Sequence, residues 1–245
     1  GEAPQLLFSR PSVGALAVDG STVFFAEGGL IGSTHARAAD GVTVRARFKH
    51  AVVTSLAASG DTVVATLMPR DADPLSTDAV GAVVSIDGEG EVTLMAQEQT
   101  RPRAAQTDGK DAYWVAGFPP ALWRGGLDGT FSSQLSDTAE PPVTLDGDAV
   151  YFRAPLGSGV ELKRVGRAGG KLASLATGDV QALAVSSGLV RFATGGEAPK
   201  LLELTSGAEP SELLALPGAP RGVAVGGTTL FVLTQEGDTA VLRAK

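Results

Sequence analysis

At 245 residues with 43% apolar residues, the chain is long enough to bury a sizeable core as one globular unit, which excludes a low-complexity or disordered chain. Its 20 Lys and Arg are scattered among 27 Asp and Glu for a net charge of −7, so no attraction to phosphate backbones is expected and nucleic acid is excluded as a partner. Cys is absent, which removes disulfides, thiolate metal ligands and thiol nucleophiles together, and no apolar run reaches the roughly 20 residues that cross a bilayer as a helix.

A short apolar strand, a tight turn and a second apolar or aromatic strand recur six times along the chain. In order, the copies are Ala15 to Val18 with Val23 to Phe25, Leu56 to Ala58 with Val63 to Ala65, and Ala105 to Thr107 with Ala112 to Trp114. They continue as Val143 to Leu145 with Val150 to Phe152, Leu183 to Val185 with Val190 to Phe192, and Val223 to Val225 with Leu230 to Val232. The residues between partners, such as Asp19-Gly20-Ser21-Thr22, supply the turn conformations that tie antiparallel strands, so each copy is a hairpin. The first turn residues, Asp19, Ser59, Asp108, Asp146, Ser186 and Gly226, are 40, 49, 38, 40 and 40 positions apart, the period of a four-stranded propeller blade. A second hairpin follows in most copies, as in Val83 to Ile86 turning at Asp87-Gly88 into Val92 to Leu94, and Leu122 to Arg124 turning near Asp128-Gly129 into Phe131.

The sixth copy stops after its third strand, Ala240 to Arg243, and Gln5-Leu6-Leu7-Phe8 resembles the strand it lacks. The expected fold is therefore all-β: one six-bladed propeller of four-stranded antiparallel blades, closed by the amino-terminal strand completing the last blade. The blades fall at about 10–49, 50–97, 98–136, 137–176, 177–216 and 217–245 with 1–9, all within a single domain.

The copies Asp108-Gly109-Lys110-Asp111-Ala112-Tyr113-Trp114 and Asp146-Gly147-Asp148-Ala149-Val150-Tyr151-Phe152 resemble the YWTD and TolB-like repeat propellers of bacteria. The resemblance spans the chain but is carried by turns and packing aromatics, so it implies fold more than activity. It also implies export in a bacterium, to the periplasm or cell surface, and a start at Gly1-Glu2-Ala3-Pro4 fits a trimmed export signal or lipoprotein anchor.

In such a ring the first strand of each blade would line a central channel, and the positions two before each turn marker, Ala17, Ala57, Gln106, Thr144, Ala184 and Ala224, are small or uncharged, as crowding demands. Propeller lactonases and phosphotriesterases hold calcium over the channel with several acids and Asn, because a hard cation needs about six to eight oxygens. Here Asn is absent, and the expected mouth positions are mostly Val13, Val53, Pro102, Val180 and Pro220, with Glu140 the only carboxylate. His35, on the third strand of the first blade, and His50, on the loop entering the second, read as surface or packing residues. No Gly-x-Ser-x-Gly elbow and no phosphate-cradling glycine loop is present, so the sequence offers no catalytic residue, metal ligand set or cofactor site.

Two features on the long-loop face stand out. The connection from Thr66 to Gly81 carries Asp71, Asp73 and Asp78, which lack the Gly and terminal Glu of a calcium loop and read as a solvated excursion where function tends to be placed. Arg10, Arg101, Arg103 and Arg221 lie on connections into first strands, where they would form a basic rim suited to carboxylate-bearing partners, with Phe118 adding an apolar contact beside it. The expected function is a non-enzymatic binding or scaffold module for a protein, peptide or glycan, with a larger assembly as one setting; a metal-dependent hydrolase is the alternative.

Overall fold

The computed structural model describes residues 12–35, 41–73, 76–157, 159–205, 208–226, 229–237 and 239–244, and it carries the six antiparallel sheets of a six-bladed β-propeller. Among the described residues there is no helix. The chain's contacts divide into two compact units, Gly1–Asp137 and Thr138–Lys245.

The first unit holds three four-stranded sheets. Sheet 1 is β1 (Ala15–Asp19), β2 (Thr22–Glu27), β3 (Leu30–His35) and β4 (Thr43–Arg47). Sheet 2 is β5 (Ala51–Ser59), β6 (Thr62–Pro69), β7 (Val80–Ile86) and β8 (Val92–Thr100). Sheet 3 is β9 (Arg103–Thr107), β10 (Asp111–Ala116), β11 (Ala121–Gly126) and β12 (Ser132–Ser136). The second unit repeats the plan with β13 (Glu140–Asp146), β14 (Ala149–Leu156), β15 (Gly159–Gly166) and β16 (Ala173–Thr177) in sheet 4, and β17 (Val180–Ser186), β18 (Leu189–Thr194), β19 (Lys200–Leu204) and β20 (Ser211–Ala215) in sheet 5. Sheet 6 has β21 (Ala219–Gly226), β22 (Thr229–Glu236) and β23 (Thr239–Ala244). The strand expected at residues 5–8 lies outside the described residues.

In sheets 1 and 4 the opening hairpin turns on two residues: Asp19 pairs with Thr22 and Asp146 with Ala149, and Gly20 and Gly147 both adopt φ 54°, which a side chain rarely tolerates. The Asp before each glycine reaches the next sheet. Asp19 Oδ2 accepts the Gly60 amide at 2.6 Å, and the Asp146 carboxylate accepts the amides of Ser187, at 3.1 Å, and Gly188.

Cores form between consecutive sheets. On β6 the buried run Val63 to Met68 alternates: Val63, Ala65 and Leu67 face Phe24 and Ile31 of sheet 1, while Val64 faces Trp114 and Ala105 of sheet 3. A strand covered on both faces needs apolar residues at successive positions, which explains its continuous hydrophobicity. Sheets 4 and 5 share a core of Tyr151, Leu162, Leu183 and Phe192, and sheets 5 and 6 one of Ala182, Leu201, Leu230 and Val232.

The 49-residue spacing comes mainly from the connection between β6 and β7, which is shorter than the excursion expected between Thr66 and Gly81, and partly from the length of β8. β6 continues through Pro69 and β8 through Thr100, so the irregular connection is confined to 70–79. The expected strand at Phe131 is also displaced, to Ser132, because Phe131 is used in packing beneath the Arg124 guanidinium, 5.1 Å from its ring centre.

Every first strand except β1 carries a register shift. One extra residue enters β5 between Val53 and Ser55, β17 between Val180 and Ala182, and β21 between Pro220 and Gly222, and two enter β13 between Glu140 and Val143; β9 shifts opposite Tyr113 to Val115. Such bulges turn the chain so that the extra residue leaves the pleat alternation. Thr54, Gln181 and Arg221 are consequently exposed, whereas Val53, Pro102 and Val180, expected to ring an open mouth, are buried.

A candidate binding cleft on sheets 1 to 3

Opposite the Asp-Gly turns of the first unit, the end of β6 and the segment entering β9 flank a cleft of about 350 Å³ lined by Val52, Thr54, Met68, Pro69, Arg70, Ala72, Arg101, Pro102 and Arg103. Three guanidiniums and no carboxylate line it. The apolar floor comes from Met68 and Pro69, where β6 outlasts its expected end, and from Pro102, which the shift in β9 buries.

A chain of hydroxyls fixes the two walls. The Ala105 amide donates to Ser55 Oγ at 3.0 Å, Ser55 Oγ lies 2.6 Å from Thr66 Oγ1, and Thr66 Oγ1 lies 2.7 Å from Thr54 Oγ1, which donates to the Pro102 carbonyl at 2.8 Å. An amide can only donate and a carbonyl only accept, so the proton order runs one way: Ser55 donates to Thr66 and Thr66 to Thr54. Each hydroxyl is satisfied, and sheet 2 is tied to 102–105 at both ends of the chain of bonds. In that segment and the residues leading into it the backbone is unusual. Glu98, Arg101 and Ala104 have φ of 55°, 48° and 54°, left-handed values that cost non-glycine residues free energy and concentrate where structure is committed to a site.

Arg103 Nη1 donates to the Arg101 carbonyl at 3.0 Å, which holds it against the wall. Arg70 and Arg101 form no ion pair among the described residues. This sets them apart from Arg124, bonded to Asp111 at 2.6 Å, from Arg153, bonded to Glu140 at 2.8 Å and to the Val180 carbonyl at 2.9 Å, and from Arg191, bonded to Glu203 at 2.9 Å. Glu140, the one carboxylate expected at a mouth position, is therefore engaged in joining sheets 4 and 5.

Arg70 also lines a second opening of about 460 Å³, with Glu27, Gly29, Leu30, Arg47, Phe48 and Lys49. Its wall depends on a glycine: a Cβ on Gly29 would lie 2.1 Å from the Phe48 carbonyl oxygen, and the Gly29 carbonyl accepts the Phe48 amide at 2.7 Å. A third opening of about 330 Å³ is lined by Phe48, His50, Met68, Pro69, Val80 and their neighbours.

The residues expected from sequence are dispersed by the structure. Arg101 and Arg103 meet in the cleft, Arg103 within β9 and not on the connection before it. Arg221 likewise sits inside β21, exposed at its bulge in the second unit, and Arg10 lies outside the described residues. Asp71 and Asp73 are exposed on the 70–79 connection, where the Asp73 carbonyl accepts the Ser76 amide at 3.0 Å, and neither lines the cleft. Phe118 is 68% exposed on the β10–β11 turn, outside the cleft lining. Arg70, Met68 and Pro69 were missed; the signal was a Met-Pro-Arg sequence prolonging an apolar strand.

Elsewhere an opening of about 220 Å³ in the second unit is lined by Tyr151, Arg164, Ser174, Gly188 and Thr205 among others, but its cation is engaged, 3.2 Å from Asp148 and 5.9 Å from the centre of the Tyr151 ring. Among the described residues, no three His, Asp or Glu side chains gather as a metal site would require. No described helix is long and apolar enough to cross a membrane.

No protein-family model and no curated protein sequence matches the chain. Solved structures resemble it in fold. A chain of the nidogen/laminin complex is 15% identical, with 91% of this chain and 89% of that chain covered and a TM-score of 0.65. An oligogalacturonate lyase from Vibrio parahaemolyticus is 12% identical, with 91% and 74% covered and a TM-score of 0.72. TolB from Acinetobacter baumannii is 17% identical, with 84% and 55% covered and a TM-score of 0.59.

Proposed function

We propose that the protein is a non-catalytic recognition module that holds a carboxylate-bearing partner in the cleft of Arg70, Arg101 and Arg103. The observation that carries this reading is the convergence of three guanidiniums on an apolar floor with no acid in the lining. Arginine forks match carboxylates in geometry, and pairing beside an apolar floor gains strength from the exclusion of water. The hydroxyl closest to hand, that of Thr54, is committed to Pro102, so the cleft supplies binding groups without an activated nucleophile. Protein, peptide and glycan partners all meet the carboxylate requirement, and export in a bacterium, implied by the TolB-like resemblance, would place the cleft before extracytoplasmic ones. The metal-dependent hydrolase alternative rests on fold likeness and gains no residue set here.

Affinity capture with charge-reversed protein tests the reading. The double variant Arg70→Glu with Arg101→Glu should lose a partner that wild type retains, with melting unchanged within a few degrees, because surface substitutions usually stay within about 0.5 kcal/mol. Asp87 and Asp128 are poor controls, since each accepts turn amides at 2.8 to 3.0 Å. Glu89→Lys, exposed on the turn side of sheet 2, is the matched control. Loss of the partner with Glu89→Lys and retention with the double variant would overturn the assignment.

A further inference from the structure

The three openings of the first unit adjoin pairwise and together make up a groove: Arg70 lines the first and second, Met68 and Pro69 the first and third, and Phe48 the second and third. Along it lie Arg103, Arg101, Arg70, Lys49 and Arg47, with Glu27 as the one acid in the linings. On a chain with net charge −7 this is a local inversion of sign. It extends over three sheets, farther than a single carboxylate reaches.

The character of the floor separates polymer classes. Sugars need several hydrogen-bond partners for their hydroxyls and are commonly held against aromatic faces. Here the Thr54 hydroxyl is committed, the first opening, which holds three of the five cations, is lined by Val52, Met68, Pro69 and Pro102 with Ala72, and the aromatic side chains of the groove, Phe48 and His50, lie only in the other two. Met is unbranched and adapts to the side chain laid against it, which suits apolar side chains of a polypeptide.

Resting on the cleft reading above, we infer that the groove's ligand is an extended acidic segment of a partner protein, with carboxylates on the Arg103, Arg101, Arg70, Lys49 and Arg47 line and apolar side chains on Met68, Pro69 and Phe48. An extended chain suits such a row, since alternate residues face the same side about 7 Å apart. Acidic and apolar residues in alternation then satisfy rim and floor at once.

The test is fluorescence anisotropy with a labelled peptide of alternating Glu and Leu, about ten residues long so as to extend some 30 Å. Counterparts replace Glu by Gln, or Leu by Ser, and labelled oligogalacturonate provides the acidic glycan. The Glu-Leu peptide should bind full-length protein, at least about tenfold more tightly than either counterpart or the glycan, and more weakly as salt is raised. Arg70→Glu with Arg101→Glu, shown folded by its melting curve, should weaken it by about tenfold or more. Equal binding of the Gln-Leu peptide, tighter binding of oligogalacturonate, binding unaffected by the double variant, or no binding of the Glu-Leu peptide to wild type would each overturn the inference. The capture experiment uses no designed probe, so it separates a wrong ligand class from a wrong cleft.

Discussion

Thr66 is fully buried, and its hydroxyl is satisfied only because Ser55 and Thr54 stand on either side of it in the bonded series that ends at Pro102. Replacing it by Val keeps the shape and removes the middle link, leaving Thr54 without its donor and Ser55 without its acceptor. Thr66→Val should cost about 1–3 kcal/mol in denaturant unfolding, and Thr66→Ser, which keeps the hydroxyl, should cost less. A Val variant as stable as wild type would show that the series does not bind the sheets. The same local accounting separates the arginines. Arg124 is fixed by Asp111 and lies over Phe131, whereas Arg70 meets no anion among the described residues, although the sequence marks both only as charged residues near strand ends.

At the scale of strands, the hairpins were legible because Asp-Gly turns flanked by apolar pairs constrain both backbone and pairing, as at Asp19 with Thr22 and Asp146 with Ala149. The first-strand bulges were not legible. One added residue moves the following side chain to the other face, and nothing in Val53-Thr54-Ser55 or Pro220-Arg221-Gly222 says which residue is the added one. The expected mouth ring was therefore misplaced by one position at Val53, Val180 and Pro220, and the part of the groove at Arg70 was hidden by expecting β6 to end four residues early, at Ala65 instead of Pro69. In β15, by contrast, alternation places Glu161 and Lys163 on one face, 2.7 Å apart. The hydrogen bond from Lys163 holds the Glu161 carboxyl below its ordinary range, against the opposing effect of burial. A carboxyl depressed by folding contributes stability above its unfolded pKa of about 4.3, and the contribution disappears as pH falls through the folded value. Glu161→Gln should thus melt below wild type at neutral pH, with the gap closing under acid; a gap independent of pH would count against the pair.

For the molecule as a whole, the regular period of the turn markers carried the count of six sheets, and the sixth sheet ends at β23 among the described residues. The sequence expectation that 5–8 supply its missing strand predicts that deleting residues 1–9 lowers the melting temperature and promotes aggregation through an open edge. Unchanged melting and solubility would refute that closure. The Asp19 and Asp146 contacts run in one direction, with the earlier sheet's carboxylate receiving amides of the later sheet's turn at Gly60 and at Ser187 and Gly188. During synthesis the acceptor therefore leaves the ribosome roughly 40 residues before its donors, some seconds at ordinary elongation rates. Sheets 2 and 5 thus each meet a waiting anchor as their own turns form, which gives the joining of sheet 1 to sheet 2 and of sheet 4 to sheet 5 a built-in polarity from the amino end toward the carboxyl end.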